Sequence, residues 1–385
     1  METLSPTSRR LGVRVVDHAS KAELRRFVRL ERELMADEPL FVPAIDADVQ
    51  KFLSGRSALC HGIEQALFVA SRGGRDVARC AAFVNRGWQQ HHGEPAGFIG
   101  LFAAGTGVEA EVVEMLDRAE EWLGRRGVTR VIAPYNGHAA VGLFGMQTGA
   151  FSQALNFPYA WAPPRYVDYL AAADYHPSYP WWTFTTDLRS ERYLAASRRA
   201  MAEARCRVRP IDKRRWAQEW ETLTRLWNVG FSAEWEFHPY AVAELREFFD
   251  PLKPFVDPRQ HLIAEVDGEP AGFCIGYPDL NPLLRKAGGR SGPATIARLA
   301  LTRFGPRRLR PRHAGLIAIA LLPEHRGRRI GQALTATLYH RYKQLGLDTV
   351  EYGLVNDSNR ASRSLAESLG GDGRVIFHHY DKRLD

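Results

Sequence analysis

Apolar residues run unbroken from Gly315 to Leu322, which suits a strand buried on both faces. Soon afterwards the pattern changes period. Ile330, Leu334, Leu338, Tyr342 and Leu345 recur on one face of a predicted helix. Residues 323–332 lie between the two: Pro, Glu, His, Arg, Gly, Arg, Arg, Ile, Gly and Gln. A glycine-bearing turn between a buried strand and a helix start points several free backbone N–H groups one way, and the helix dipole adds positive potential there. That is an anion site, and a pyrophosphate suits it. The order of residues matches neither a Gly-Lys-Ser/Thr loop nor a Gly-x-Gly-x-x-Gly fingerprint.

The same pattern occurs earlier in the chain. Residues 96–102 (Ala-Gly-Phe-Ile-Gly-Leu-Phe) read like residues 314–320 (Ala-Gly-Leu-Ile-Ala-Ile-Ala). A predicted hairpin precedes each. The first joins Leu67–Ala70 to Val77–Val84 through Gly73, Gly74, Arg75 and Asp76; the second joins Leu262–Val266 to Ala271–Tyr277 through Asp267, Gly268 and Glu269. A helix and a strand ending in Asn follow each. Gly97 to Asn136 is a step of 39 residues and Gly315 to Asn356 one of 41. The first helix is expected near Glu109–Gly124, with Val112, Val113, Leu116, Ala119 and Leu123 inward. In place of the arginine-rich loop the first copy has residues 103–109, with no arginine, and Glu109 and Glu111 stand where an anion would lie. The first copy is therefore expected to be degenerate. The second carries a long insert between Tyr277 and Ala314, with Asp279, Asn281, Arg285 and Lys286 near its start. Arg303, Phe304, Arg307, Arg308, Arg310, Arg312 and His313 stand near its end. It reads either as a solvated basic face or as a contact for an anionic substrate, carrier protein or coenzyme phosphate.

The loop Arg326-Gly327-Arg328-Arg329-Ile330-Gly331 resembles the acyl-CoA pyrophosphate loop of the GCN5-related N-acetyltransferase (GNAT) superfamily, Gln/Arg-x-x-Gly-x-Gly/Ala, with Arg329 in place of the middle glycine. Residues 356–371 resemble its last helix motif through Asn359, Leu365 and Gly370; Ala366 takes the place of its tyrosine and Gly371 that of its phenylalanine. The whole chain is similar to bacterial tandem proteins of this kind. The resemblance implies an α/β fold of two tandem GNAT domains, each a mixed, mostly antiparallel sheet flanked by helices. The expected limits are 1–186 for a degenerate N-terminal copy and 187–385 for an acyl-CoA-binding C-terminal one.

The resemblance further implies transfer of an acyl group, acetyl in the simplest case, from acetyl-CoA or another acyl-CoA to the amine of a small molecule. Ala320, Leu321 and Leu322 would hold the thioester carbonyl through backbone N–H groups, while residues 326–331 and Asn359 would bind the coenzyme. With the usual tyrosine absent, Tyr380 and Tyr352 are the candidate acids. Asn356 would orient a water or the pantetheine arm. Glu351, in the apolar strand 349–355, is the expected base, because burial raises a carboxyl pKa; the alternative places it on a solvent face. His313 is a rival base or substrate contact. Glu234 and Trp235, in an aromatic segment with two carboxylates, are expected with Asp279 and Asn281 on the substrate side. Residues 175–182 read as interdomain packing, their prolines favouring a linker. His91 and His92 read as surface.

Composition narrows the classes. A chain of 385 residues, 45% hydrophobic and 25% charged, is long enough for two full cores. No apolar run reaches membrane-spanning length and Met1 to Arg10 lacks a signal-peptide core, so a cytoplasmic protein without a membrane partner is expected. Cys60, Cys80, Cys206 and Cys274 match no metal spacing and are read as free thiols; no metal is expected. A net charge of +8 suits phosphate-rich ligands. Two other readings stay open: a donor that is an aminoacyl-tRNA or carrier-protein thioester, and a non-catalytic acyl-CoA-binding protein.

Overall fold

A computed structural model describes residues 11–141, 145–254, 257–306 and 310–384. Met1 to Arg10, Arg307 and Arg308 lie outside the described residues. The first half runs β1 (Leu11–Val16), α1 (Lys21–Leu34), α2 (Asp46–Leu53), β2 (Ile63–Arg72), β3 (Arg75–Asn85), α3 (Arg86–His92), β4 (Ala96–Ala104), α4 (Glu109–Gly124), β5 (Arg130–Ala133), β6 (Met146–Gln147), α5 (Arg165–Ala172) and β7 (His176–Asp187). The second runs α6 (Glu191–Ala202), β8 (Arg207–Pro210), α7 (Trp216–Gly230), α8 (Val242–Phe249), β9 (His261–Val266), β10 (Glu269–Pro278), α9 (Asn281–Ala287), α10 (Pro293–Phe304), β11 (His313–Leu321), α11 (Ile330–Leu345), β12 (Thr349–Asn356), α12 (Arg360–Ser368) and β13 (Asp372–Arg383).

Both expected hairpins form. Gly73 and Gly74 have φ of +56° and +81°, and Asp267 and Gly268 have +53° and +88°. Two successive left-handed residues match the right-handed twist of the strands they join. The apolar stripe of α11 is buried: Ile330, Leu334, Leu338 and Tyr342 share a core with Ala314, Leu316 and Val350. Burying side chains such as Leu334 and Leu338 contributes roughly 1.5–3 kcal/mol each. Trp216, Trp220, Leu223 and Leu226 of α7 cover the other face of the same strands. The first half is built alike, with α4 on one face and α1 on the other.

The strands form one sheet in the order β1-β2-β3-β4-β5-β13-β7-β12-β11-β10-β9-β8, with β6 also on β13. The halves therefore exchange strands. β7, from the first half, pairs with β12 of the second. β13, the last strand, pairs with β5 of the first half and with β7. Residues 175–182, read as a linker, belong largely to this central β7, and Pro180 borders an irregularity of its ladder with β13.

The first copy is closed where a ligand would enter. β4 and β5 pair in parallel only over Ala96–Phe98 and Arg130–Ile132. Beyond that, Tyr135 N–H donates to Ile99 O at 2.8 Å, and Leu101 N–H to Asn136 Oδ1 at 2.8 Å. A methyl group at Gly100 would lie 2.4 Å from Tyr135 O, so the backbones already touch. At the start of α4, Glu111 is buried in an ion pair with Arg72. The first copy thus supplies its own carboxylate at that helix end.

Candidate active site

In the second copy the same two strands part and stay apart. β11 and β12 pair in parallel over His313–Leu316 and Thr349–Tyr352. Past Leu316 and Tyr352, residues 316–319 and 352–356 line opposite walls of an open cleft. The register of β11 on β10 also slips here: Leu316 faces Gly276 and Ala318 faces Ile275, which leaves Ile317 opposite no residue of β10. Such a bulge removes one residue from the ladder. Trp181, Phe231, Glu234, Glu236, Asn359 and Ser362 complete the lining.

The polar groups here are few and placed. Glu236 Oε2 is buried without a hydrogen-bond partner among the described residues. Burial, and next the charge of Glu234, push the Glu236 carboxyl up to about 8. Burial also raises Glu234, held back by a 2.7 Å hydrogen bond from Asn359 Nδ2 and by the Arg326 charge. Asn356 Oδ1 accepts from Ser358 N–H (3.1 Å) and its hydroxyl (2.6 Å), while Asn356 Nδ2 is buried and unpartnered among the described residues. The Tyr352 hydroxyl lies 2.6 Å from Ser362 Oγ, and burial raises its pKa. The cleft therefore offers an unspent acceptor, an unspent donor and a buried phenol.

The loop before α11 is exposed from Arg326 to Arg329. No described residue accepts from the backbone N–H groups of Gly327, Arg328 and Arg329. Ile330, Gly331 and Gln332 open the helix, where N–H groups have no intrahelical partner. Gly327 and Arg329 have φ of +76° and +61°. Arg329 thus keeps the left-handed backbone that a glycine would take freely, at a cost of roughly 1–2 kcal/mol. Its side chain pairs with Glu203. Arg326 Nη2 donates to Gly230 O at 3.2 Å. Gly331 serves packing, since a methyl group there would lie 3.1 Å from Leu365 Cδ2.

Several sequence expectations move. The part of β11 that lines the cleft is 316–319, not Ala320 to Leu322, and Leu322 N–H is spent on Ala271 O at 3.0 Å. Tyr380 is not brought to the cleft: it pairs with Ala133 and lies in the first half's core, because β13 crosses over. Asp279 and Asn281 are spent on a structural clamp. Asp279 Oδ1 accepts from Phe157 and Asn281 N–H, and Asn281 Nδ2 donates to Leu155 O and Tyr159 O. His313 is exposed at the far end of β11, bonded to Thr349 Oγ1. Trp235 is an interdomain packing residue, its ring stacked on Tyr179 at 4.5 Å and edge-on to His379. Glu351 accepts from Asn156 Nδ2 at 2.8 Å and is pushed up to about 7, chiefly by burial; it stands one residue before the lining stretch. Ala366 is buried in the core.

Among the residues expected at the site, the structure brings Glu234, Tyr352, Asn356 and Asn359 together in the cleft lining. Glu236, Ile317, Trp181 and Ser362 were not singled out. The signal for Glu236 was two carboxylates within an aromatic run. His91 and His92 are not idle surface: their Nε2 atoms contact Ser232 O and Phe237 O, holding the segment that carries Glu236.

Among the described residues, one group elsewhere has metal-ligand character. His138, His238 and Glu244 bring ligand atoms within 4.8 Å of one another. His138 Nδ1 accepts from Ala140 N–H at 3.0 Å, so the neutral ring carries its proton on Nε2, which faces Glu244 Oε1 at 3.5 Å. That tautomer makes Nε2 a donor, not a ligand, and the trio reads as a contact between the halves.

Residues 220–370 match the Acetyltransferase (GNAT) family model. Over 387 aligned residues the chain is 29% identical to a protein of Caulobacter vibrioides named bacterial ceramide synthase, covering 96% of this chain and 97% of that one. It is 23% identical to protein YghO of Escherichia coli, covering 95% and 94%. A tandem GNAT protein from the clavulanic acid biosynthesis pathway superposes with a TM-score of 0.54 at 16% identity, covering 97% and 98%. The second half thus carries a GNAT domain, and the whole chain has the tandem GNAT fold.

Proposed function

We propose, from the GNAT domain at 220–370, that the protein is an N-acyltransferase that moves a fatty acyl group from an acyl-CoA to the amine of a long-chain amino alcohol. The parted strands beside Glu236 carry this reading. The name of the Caulobacter relative supports the lipid acceptor, since a ceramide is the fatty amide of a long-chain amino alcohol, and it favours a longer acyl group than acetyl.

Residues 327–332 would bind the pyrophosphate through their N–H groups, with Arg326 and Arg328 adding charge. The loop is exposed, and Arg329 takes the left-handed backbone there. Ile317, which faces no residue of β10, would donate its N–H to the thioester oxygen as charge grows there. Glu236 takes the proton of the attacking amine. The C–N bond forms, the C–S bond breaks, and the leaving thiolate takes a proton from Tyr352; Glu236 then gives up the amine's proton to solvent, and Tyr352 regains one from solvent relayed through the Ser362 hydroxyl.

The test is thiol release and amide formation, followed by mass spectrometry, with a saturated fatty acyl-CoA and a long-chain amino diol. Acetyl-CoA and short amines run alongside. Amide formation dependent on Glu236 supports the proposal. Thiol release only with acetyl-CoA and a short amine refutes the lipid reading, and no thiol release from any pair refutes the enzymatic one.

A further inference from the structure

The insert between β10 and β11 holds most of the chain's asymmetry. Residues 280–313 contain nine of the 52 Lys and Arg residues and none of the 44 Asp and Glu residues. The rest of the chain carries 43 against 44, so the insert accounts for the whole net positive charge. Among the described residues, the same segment holds three of the six large hydrophobic side chains left exposed: Ile296 at 56%, Leu301 at 45% and Phe304 at 67%, all on α10.

Their spacing is ordered. At about 100° per residue, Pro293, Ala294, Ile296, Ala297, Ala300, Leu301 and Phe304 fall within an arc of about 160°. Every one is apolar, and all are exposed except the half-buried Ala300. On the opposite side Thr295 is buried, its hydroxyl donating to Arg290 O at 2.8 Å. Exposed Arg298 flanks the arc, and exposed Arg290 precedes the helix. α10 is thus seated on one face and presents a convex apolar ridge on the other. No described helix is long and apolar enough to cross a membrane, so the ridge does not belong to a spanning segment.

We infer that α10 docks the protein on an anionic phospholipid surface, lying in the plane of the interface with its apolar arc in the lipid. An apolar arc bordered by arginine is the chemistry such a surface receives, and the acid-free insert would be drawn to negative headgroups. A convex ridge suits a bilayer better than a protein partner, which would need a groove. Placement adds weight. The insert rejoins the sheet at His313, three residues before the strands part at Leu316, about 10 Å along the strand. This inference does not rest on the proposed acyl transfer, and its readout is not activity. It replaces the expectation of no membrane partner.

The full-length protein is floated with vesicles of phosphatidylcholine alone and of phosphatidylcholine mixed with phosphatidylglycerol. The wild type is expected to rise with the mixed vesicles. A triple variant, Ile296→Gln with Leu301→Gln and Phe304→Gln, is expected to lose about tenfold or more in partitioning. Its melting should match the wild type, since these side chains are exposed. Arg298→Glu, a milder second variant, should weaken binding to mixed vesicles without altering the fold. Wild type that stays at the bottom of the gradient overturns the inference. So does a triple variant that floats as well as the wild type, or binding that moderate salt removes completely. Capture of an acidic carrier protein that depends on Phe304, without vesicle binding, overturns it in favour of a protein partner.

Discussion

Glu236→Gln separates a base from a packing residue, because the structure fixes both a rate and a stability effect. In the fold the carboxyl is pushed from its ordinary 4.5 to about 8, first by burial and then by Glu234. A shift of that size corresponds to roughly 5 kcal/mol favouring the neutral form, at about 1.36 kcal/mol per pH unit. The side chain borders an open cleft and keeps some exposure, so about 2 kcal/mol is the expectation after solvent screening. Between pH 4.5 and about 8 the folded protein holds a proton that the unfolded chain has lost. Stability from this group is therefore complete below the unfolded pKa and drains away as pH rises through the folded one. Gln cannot ionise. The variant should melt like wild type near pH 4 and be about 2 kcal/mol more stable near pH 9. In wild type, kcat/KM should rise with pH and level off near the Glu236 pKa. In the variant it should fall by roughly 10²–10⁴-fold and lose that limb. Denaturant melts at the two pH values and a pH–rate profile measure both. A stability gap independent of pH, or activity within a few-fold of wild type, would refute the assignment.

Arg326→Ala should weaken acyl-CoA binding about tenfold in calorimetry while melting is unchanged, because the side chain is exposed; equal affinity would remove it from the loop's function. Glu351→Gln should leave turnover within a few-fold, since its Oε2 is bonded to Asn156 and the residue lies outside the cleft lining; a hundredfold loss would make it the base in place of Glu236. Arg329→Gly relieves a left-handed backbone worth roughly 1–2 kcal/mol but loses the Glu203 pair, so melting should change little and coenzyme affinity should hold or improve. Ending the chain after Gly371 removes β13 and should unfold both halves, seen as loss of a cooperative melt; a folded product would contradict the shared sheet.

Local signals in the chain were enough for the hairpins, the repeat, α4 and α11, and the phosphate-type loop. Each rests on residues close in sequence: Gly73 and Gly74 at a turn, Ile330 to Tyr342 on one helix face. What depends on distant pairing was not legible. Tyr380 looked near the site because it follows α12 closely, yet β13 carries it into the other half. Asp279 and Asn281 look like ligand residues in sequence, and only the 155–159 segment, more than a hundred residues earlier, shows that they are clamps. Glu236 sits in irregular backbone between α7 and α8, where neither period applies, and its raised pKa comes first from burial, which only the folded chain provides, and then from Glu234.

The exchange of β7 and β13 bears on how the protein is made. The first half cannot complete its sheet until residues 372–383 have left the ribosome, nearly two hundred residues after β7. At 5–20 residues per second that is a wait of roughly ten to forty seconds. For that time the free edge of β5 is open to pairing with any passing strand. A chaperone that covers β5 during synthesis would then limit yield more than the stability of the finished fold.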